Sequence, residues 1–161
     1  MNSRESLLNR MRPSIDIKFL KIKNSSFEES FQNVILRPII KVQTSILVQA
    51  FTKYADTHKG VFYQLRPEKK TTYIENAIKK DQKFRNFLKG IVIGMFTLEE
   101  YDLYKEKSSS LNKRMMNLVY QRLSENLQLF EYRETGKTNL NPKKKLQTWQ
   151  TGARFNMSDY F

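Results

Sequence analysis

The stretch from Tyr73 to Tyr104 reads YIENAIKKDQKFRNFLKGIVIGMFTLEEYDLY, and its punctuation decides the fold class. Tyr73, Ile74, Ala77 and Ile78 recur at the spacing of one helix face, in a helix expected over Glu68–Lys80 after Pro67. Asp81 then stands where an N-cap belongs. Behind it Phe84, Phe87, Leu88, Ile91, Val92 and Met95 form a second apolar face. Thr97, with Glu100 following it at the capping-box spacing, opens a further helix that uses Leu98, Tyr101 and Leu103 or Tyr104. Gly90 and Gly94 make a small-xxx-small pair, which in a water-soluble protein predicts a close helix crossing. Gly94 also suits a helix stop.

The same periodicity extends both ways. Upstream, Ser26 and Glu29 give another capping box, opening a helix from Phe27 to about Thr57. Phe31, Val34, Ile35, Ile39, Val42, Ile46, Ala50 and Tyr54 are its expected inward stripe, with a kink or break at Pro38 and an end at Gly60. Downstream, Ser110 is the expected cap of a last helix to about Tyr132, with Leu111, Met115, Leu118, Val119, Leu123, Leu127 and Phe130 inward. Residues 3–11 can form a short helix before Pro13. Ser14–Lys23 (SIDIKFLKIK) alternates instead, as an extended segment does. The chain is therefore read as all-α. A bundle of about five helices occupies 25–134, between an N-terminal basic arm (1–24) and an irregular basic and aromatic tail (135–161).

Composition agrees. With 39% hydrophobic residues the 161-residue chain can build one real core, and only 5 Gly and 4 Pro mean few turns. No cysteine is present, so thiol, disulfide and cysteine-held metal chemistry are excluded. The N-terminus lacks the apolar run of a signal peptide, and the longest apolar run, Gly90–Phe96, is far short of a membrane span. A cytoplasmic protein without membrane contact is expected.

The net charge is +13, and residues 1–24 and 135–161 hold 8 of those charges. Basic ends on a globular body suit polyanion partners, because lysine and arginine displace counterions from phosphates.

Phe31–Gln43 (FQNVILRPIIKVQ), Tyr73–Tyr104 and Ser108–Leu123 (SSSLNKRMMNLVYQRL) together resemble a family of small uncharacterised helical proteins typical of the Bacteroidetes, sometimes labelled glyoxalase. The resemblance covers roughly Phe27–Leu123 and implies a helical body to which the tail is an addition or a variable part. Taken at its label it implies a metal-dependent lyase. Such enzymes hold their metal with several histidine and carboxylate ligands, and this chain has one histidine, His58. It offers no catalytic motif, so no cofactor, metal or small-molecule substrate is expected.

Other motifs have structural explanations. His58, at a helix end, is placed to bond the last carbonyls. Thr135–Thr138 (TGKT) ends like a phosphate-binding loop, but Glu131 stands where the loop needs its first glycine. The carboxylates Glu99 and Glu100 suit a helix first turn, and Asp102 and Glu106 a solvated face.

Two features point to function. Lys83, Arg85 and Lys89 on one helix and Lys113 and Arg114 on another merge into one basic surface if those helices pack side by side. In the tail, Lys143, Lys144 and Lys145 concentrate positive charge, while Trp149 and Arg154 supply planar groups that stack on unpaired bases. The expected function is that of a non-enzymatic accessory protein of a nucleic-acid machine such as the ribosome or RNA polymerase, in contact with nucleic acid and protein subunits. The alternative is a protein–protein adaptor anchored by Phe155, Met157, Tyr160 and Phe161.

Overall fold

A computed structural model describes residues 3–12 and 26–131. Residues 4–12 and 26–130 fall in one compact unit, Met1–Phe130. The described residues are helical and contain no strand, so the fold is all-α. In chain order the helices are α1 (Ser3–Met11), α2 (Phe27–Phe31), a π-helical turn (Gln32–Leu36), α3 (Arg37–Val42) and α4 (Thr44–Thr57). A 3-10 turn (Val61–Gln64) leads to α5 (Pro67–Lys80), α6 (Gln82–Ile93), α7 (Leu98–Glu106), α8 (Ser108–Glu125) and α9 (Gln128–Glu131). Helix α8 packs against α3, α4, α5, α6 and α7 and forms the axis of the bundle.

The caps follow the sequence where a polar side chain can reach an orphan N–H. Ser26 Oγ accepts from Glu29 N (3.1 Å), Asp81 Oδ1 accepts from Phe84 N (2.9 Å), and Thr97 with Glu100 makes the full reciprocal box. Ser110 does not cap. Helix α8 begins at Ser108, and the Ser110 hydroxyl donates to the Lys107 carbonyl (3.0 Å).

The kink expected at Pro38 is elsewhere. Pro38 lacks an N–H, and the helix absorbs that upstream, through π-type bonding in which Arg37 N–H reaches Gln32 O. The chain bends at Gln43 instead, where Phe27–Val42 and Thr44–Thr57 meet at 65°. The Thr44 hydroxyl donates to the Ile40 and Lys41 carbonyls, a contact that bends helices, and it accepts Arg122 Nε (2.8 Å). Gln43 Nε2 donates to Ile91 O (3.2 Å). The bend resets the helical phase. Val42 and Ile46, expected inside, are exposed, and Leu47, Val48, Phe51 and Ala55 form the buried face of α4.

Phe51 is fully buried, with its ring 4.9 Å from Phe62, 5.3 Å from Phe130, and 6.2 Å from both Tyr73 and Phe84. Phe31, Phe96 and Tyr104 make a second aromatic run. Gly90 is not at a close crossing, since a Cβ there meets nothing among the described residues. Gly94 ends α6 with right-handed geometry. Phe87, Leu98 and Tyr101, also expected inward, are exposed. No single helix among the described residues is long and apolar enough to cross a membrane.

Helix α1 is docked through its polar face. Arg4 donates to the carbonyls of Phe96 (2.7 Å) and Gly94 (2.8 Å), and Glu5 Oε1 accepts from Leu98 N (3.0 Å). Leu8 is buried beside these contacts, and Arg12 forms an ion pair with Glu100.

Candidate nucleic-acid interface

Where α4, α5 and α6 converge, their ends enclose an open cleft of about 780 Å³. Each helix contributes through its termination. Helix α4 stops because Lys59 and Gly60 turn left-handed (φ 64° and 65°), and Gly60 N–H returns to the Ala55 carbonyl. That leaves His58 exposed at the rim. Helix α5 stops at Asp81, which caps α6, so Lys80, Asp81, Gln82 and Lys83 turn the corner of the cleft. Tyr54, Tyr73, Asn76, Ala77 and Asn86 complete the wall.

The rings are ordered in a column. His58 lies 4.1 Å from Tyr54, and Tyr54 stacks at 4.2 Å on Phe84, which is buried. The Tyr54 carbonyl can only accept, so His58 Nδ1–H donates to it (2.7 Å). In the neutral ring Nε2 is then an acceptor. Burial raises the Tyr54 hydroxyl above its ordinary pKa of 10.0, and the negative charges of Asp81 and then of ionised Tyr73 raise it further. Burial raises Tyr73 likewise. Both phenols stay neutral donors at physiological pH.

The amides and lysines of the cleft are uncommitted among the described residues. The side-chain amides of Asn76, Gln82 and Asn86 make no hydrogen bond among the described residues, and Lys80 and Lys83 make no ion pair there. Asp81 is the one carboxylate lining the cleft among the described residues, and its Oδ1 is occupied by Phe84 N. No group of His, Cys, Asp or Glu side chains among the described residues is arranged to hold a metal ion.

The structure places the residues singled out in the sequence as follows. Lys83 lines the cleft. Arg85 is on the same helix and donates to Lys79 O (3.1 Å), which ties the start of α6 to the end of α5. Lys89 is half-buried one turn on. Lys113 is exposed on α8, and Arg114 is committed to Gln32 Oε1 (2.8 Å) on the π-helical turn. Helices α6 and α8 pack together, and Arg85 and Arg114 are anchored on different elements, the end of α5 and the π-helical turn. Lys143, Lys144, Lys145, Trp149, Arg154, Phe155, Met157, Tyr160 and Phe161 lie outside the described residues.

His58 was legible only as a helix-end residue. Its partnership with Tyr54, Asn76, Gln82 and Asn86 was not, because these positions meet through the α4–α5–α6 convergence and share no motif. The signal present was the concentration of base in KKDQK, next to a capping aspartate. Compared with protein families, curated proteins and solved structures, the chain matches none.

Proposed function

We propose that the chain is a non-enzymatic, cytoplasmic accessory protein that docks on a nucleic-acid assembly of the ribosome or RNA polymerase kind, through a basic surface and its C-terminal tail. The observation that carries this reading is the α5–α6 corner. Residues 79–89 hold five basic side chains and one acidic one, Asp81, whose Oδ1 caps α6, so positive charge is in clear excess there. Lys80, Lys83 and Lys89 make no ion pair among the described residues, so their charge is available to phosphates. The ends of the chain add to it, with residues 135–161 carrying a further +4. Contacts of this kind position a protein on a phosphate backbone without reading sequence.

The test is retention on immobilised RNA and DNA as salt is raised. The full chain is expected to bind with a steep salt dependence, and a chain ending at Glu134 to bind markedly less. Equal retention of both would overturn the role of the tail, and salt-independent binding the role of charge.

A second reading, the protein–protein adaptor, has support in Phe87 and Ile46. These large apolar side chains are 57% and 50% exposed on helices that pack against each other. It predicts capture of a defined protein that survives nuclease, tolerates loss of Lys143–Lys145 and disappears without Tyr160 and Phe161.

A further inference from the structure

We propose that the α4–α5–α6 cleft is a seat for one unpaired nucleotide of a single strand, its base stacked on His58 and its phosphate held between Lys80 and Lys83. This rests on the reading that the partner is a nucleic acid, and it names the place and the form of nucleic acid taken.

The stacking surface is already built. Phe84, Tyr54 and His58 form a column whose inner ring is anchored in the core and whose outer ring is exposed. No other ring among the described residues covers the outer face of His58. The Nδ1–H bond to the Tyr54 carbonyl fixes the ring plane, so a base settling on it extends an ordered stack and little side-chain freedom is lost.

The edge and the phosphate have partners as well. Asn76, Gln82 and Asn86 each offer a donor and an acceptor, the pairing needed by the Watson–Crick edge of a base. Lys80 and Lys83 line the same cleft, and Asp81, with its Oδ1 on the α6 cap, sets one negative charge there against their two positive ones. About 780 Å³ accommodates a nucleotide, and the open form of the cleft lets the strand continue beyond it. A base inside a duplex presents neither a free face nor a free Watson–Crick edge, so the seat discriminates against paired nucleic acid.

The experiment compares a short fluorescent single-stranded RNA with the same strand annealed to its complement, at one salt concentration, using the full chain. Single strand is expected to bind more tightly. His58→Ala is expected to weaken it about fivefold or more while leaving duplex binding unchanged, and His58→Phe to retain most of the affinity because it keeps the face. Asn86→Ala, a conservative surface change, is expected to weaken the single strand alone. Ultraviolet cross-linking is expected to place the adduct on the peptides carrying Tyr54, His58 or Tyr73. Equal affinity for both forms, with no effect of His58→Ala, overturns the seat while the general nucleic-acid reading stands. Failure of both forms to bind overturns that reading and the seat with it. Thermal melting of each variant separates lost binding from lost fold.

Discussion

Arg12 and Glu100, 88 positions apart in the chain, form an ion pair with both side chains almost fully buried. Glu100 also accepts the Thr97 N–H (2.8 Å), so one carboxylate caps α7 and clamps α1 onto it. The Arg12 Nε lies buried without a hydrogen-bond partner among the described residues, which makes the pair costly to desolvate and costlier to break.

Arg12→Met is therefore expected to cost about 3–5 kcal/mol, because it strands a buried carboxylate. The double variant R12M/E100Q recovers most of that, since the introduced amide still accepts the Thr97 N–H and carries no charge. The loss is bounded by the free energy that docks α1, so amide exchange should accelerate in α1 before it does in α8. A single variant no less stable than the double, in urea melts, would sink the clamp.

Glu100 also shows what the sequence conveys and what it withholds. Its capping role is visible from Thr97, three residues away, because caps are local chemistry. Its pairing with Arg12 depends on how α1 returns to α7, and no periodicity encodes that. Lys70 is similar: it is buried beside the Phe62 ring, 5.7 Å from its centroid, while its sequence neighbours Lys69 and Glu68 are exposed. The stripe through Val42 and Ile46 failed for a related reason. Helical phase propagates only along an unbroken axis, and the axis turns by 65° at Gln43, whose side chain bonds the Ile91 carbonyl. The cleft was the least legible part, since its residues share space and no spacing.

The alkaline limb of stability should report on that cleft. Tyr54 and Tyr73 have folded pKa values raised above 10.0, by burial first. The unfolded chain therefore releases these protons at lower pH than the folded one. Their contribution is complete below about pH 10 and is lost as the pH rises through the folded values. Tyr54→Phe and Tyr73→Phe keep the rings, and each should flatten the fall in melting temperature above pH 10. Asp81→Asn keeps the cap and should bring the Tyr54 titration down part of the way, because burial, the larger cause, remains. An unchanged Tyr54 titration in D81N would contradict the electrostatic coupling.

The bend at Gln43 makes Thr44 and Pro38 a matched pair of tests. Thr44→Val removes the acceptor of half-buried Arg122 and the hydroxyl bonded to the Ile40 and Lys41 carbonyls, and should cost about 1–2 kcal/mol. Pro38→Ala restores an N–H where the π-helical turn has already adjusted, and should change stability by less than about 1 kcal/mol. Chemical denaturation of the two variants decides the matter. A larger loss in P38A than in T44V would return the bend to the proline.

Phe87 lies on an expected inward stripe and Phe51 lies off the one expected for its helix, and the structure reverses the two. Phe51 is fully buried and its ring touches those of Tyr54, Phe62, Tyr73, Phe84 and Phe130, which ties α4 to α5, α6 and α9. Phe51→Ala should cost about 3–5 kcal/mol through lost burial and the cavity left behind. Phe87 is 57% exposed, and Phe87→Ala should move stability by no more than about 0.5 kcal/mol. The pair also separates fold from function. If the adaptor reading holds, F87A weakens partner capture at unchanged melting temperature, whereas F51A loses capture only as far as it unfolds. Capture that survives F87A at full strength would remove α6 from any protein interface and leave the basic corner as the functional face of that helix.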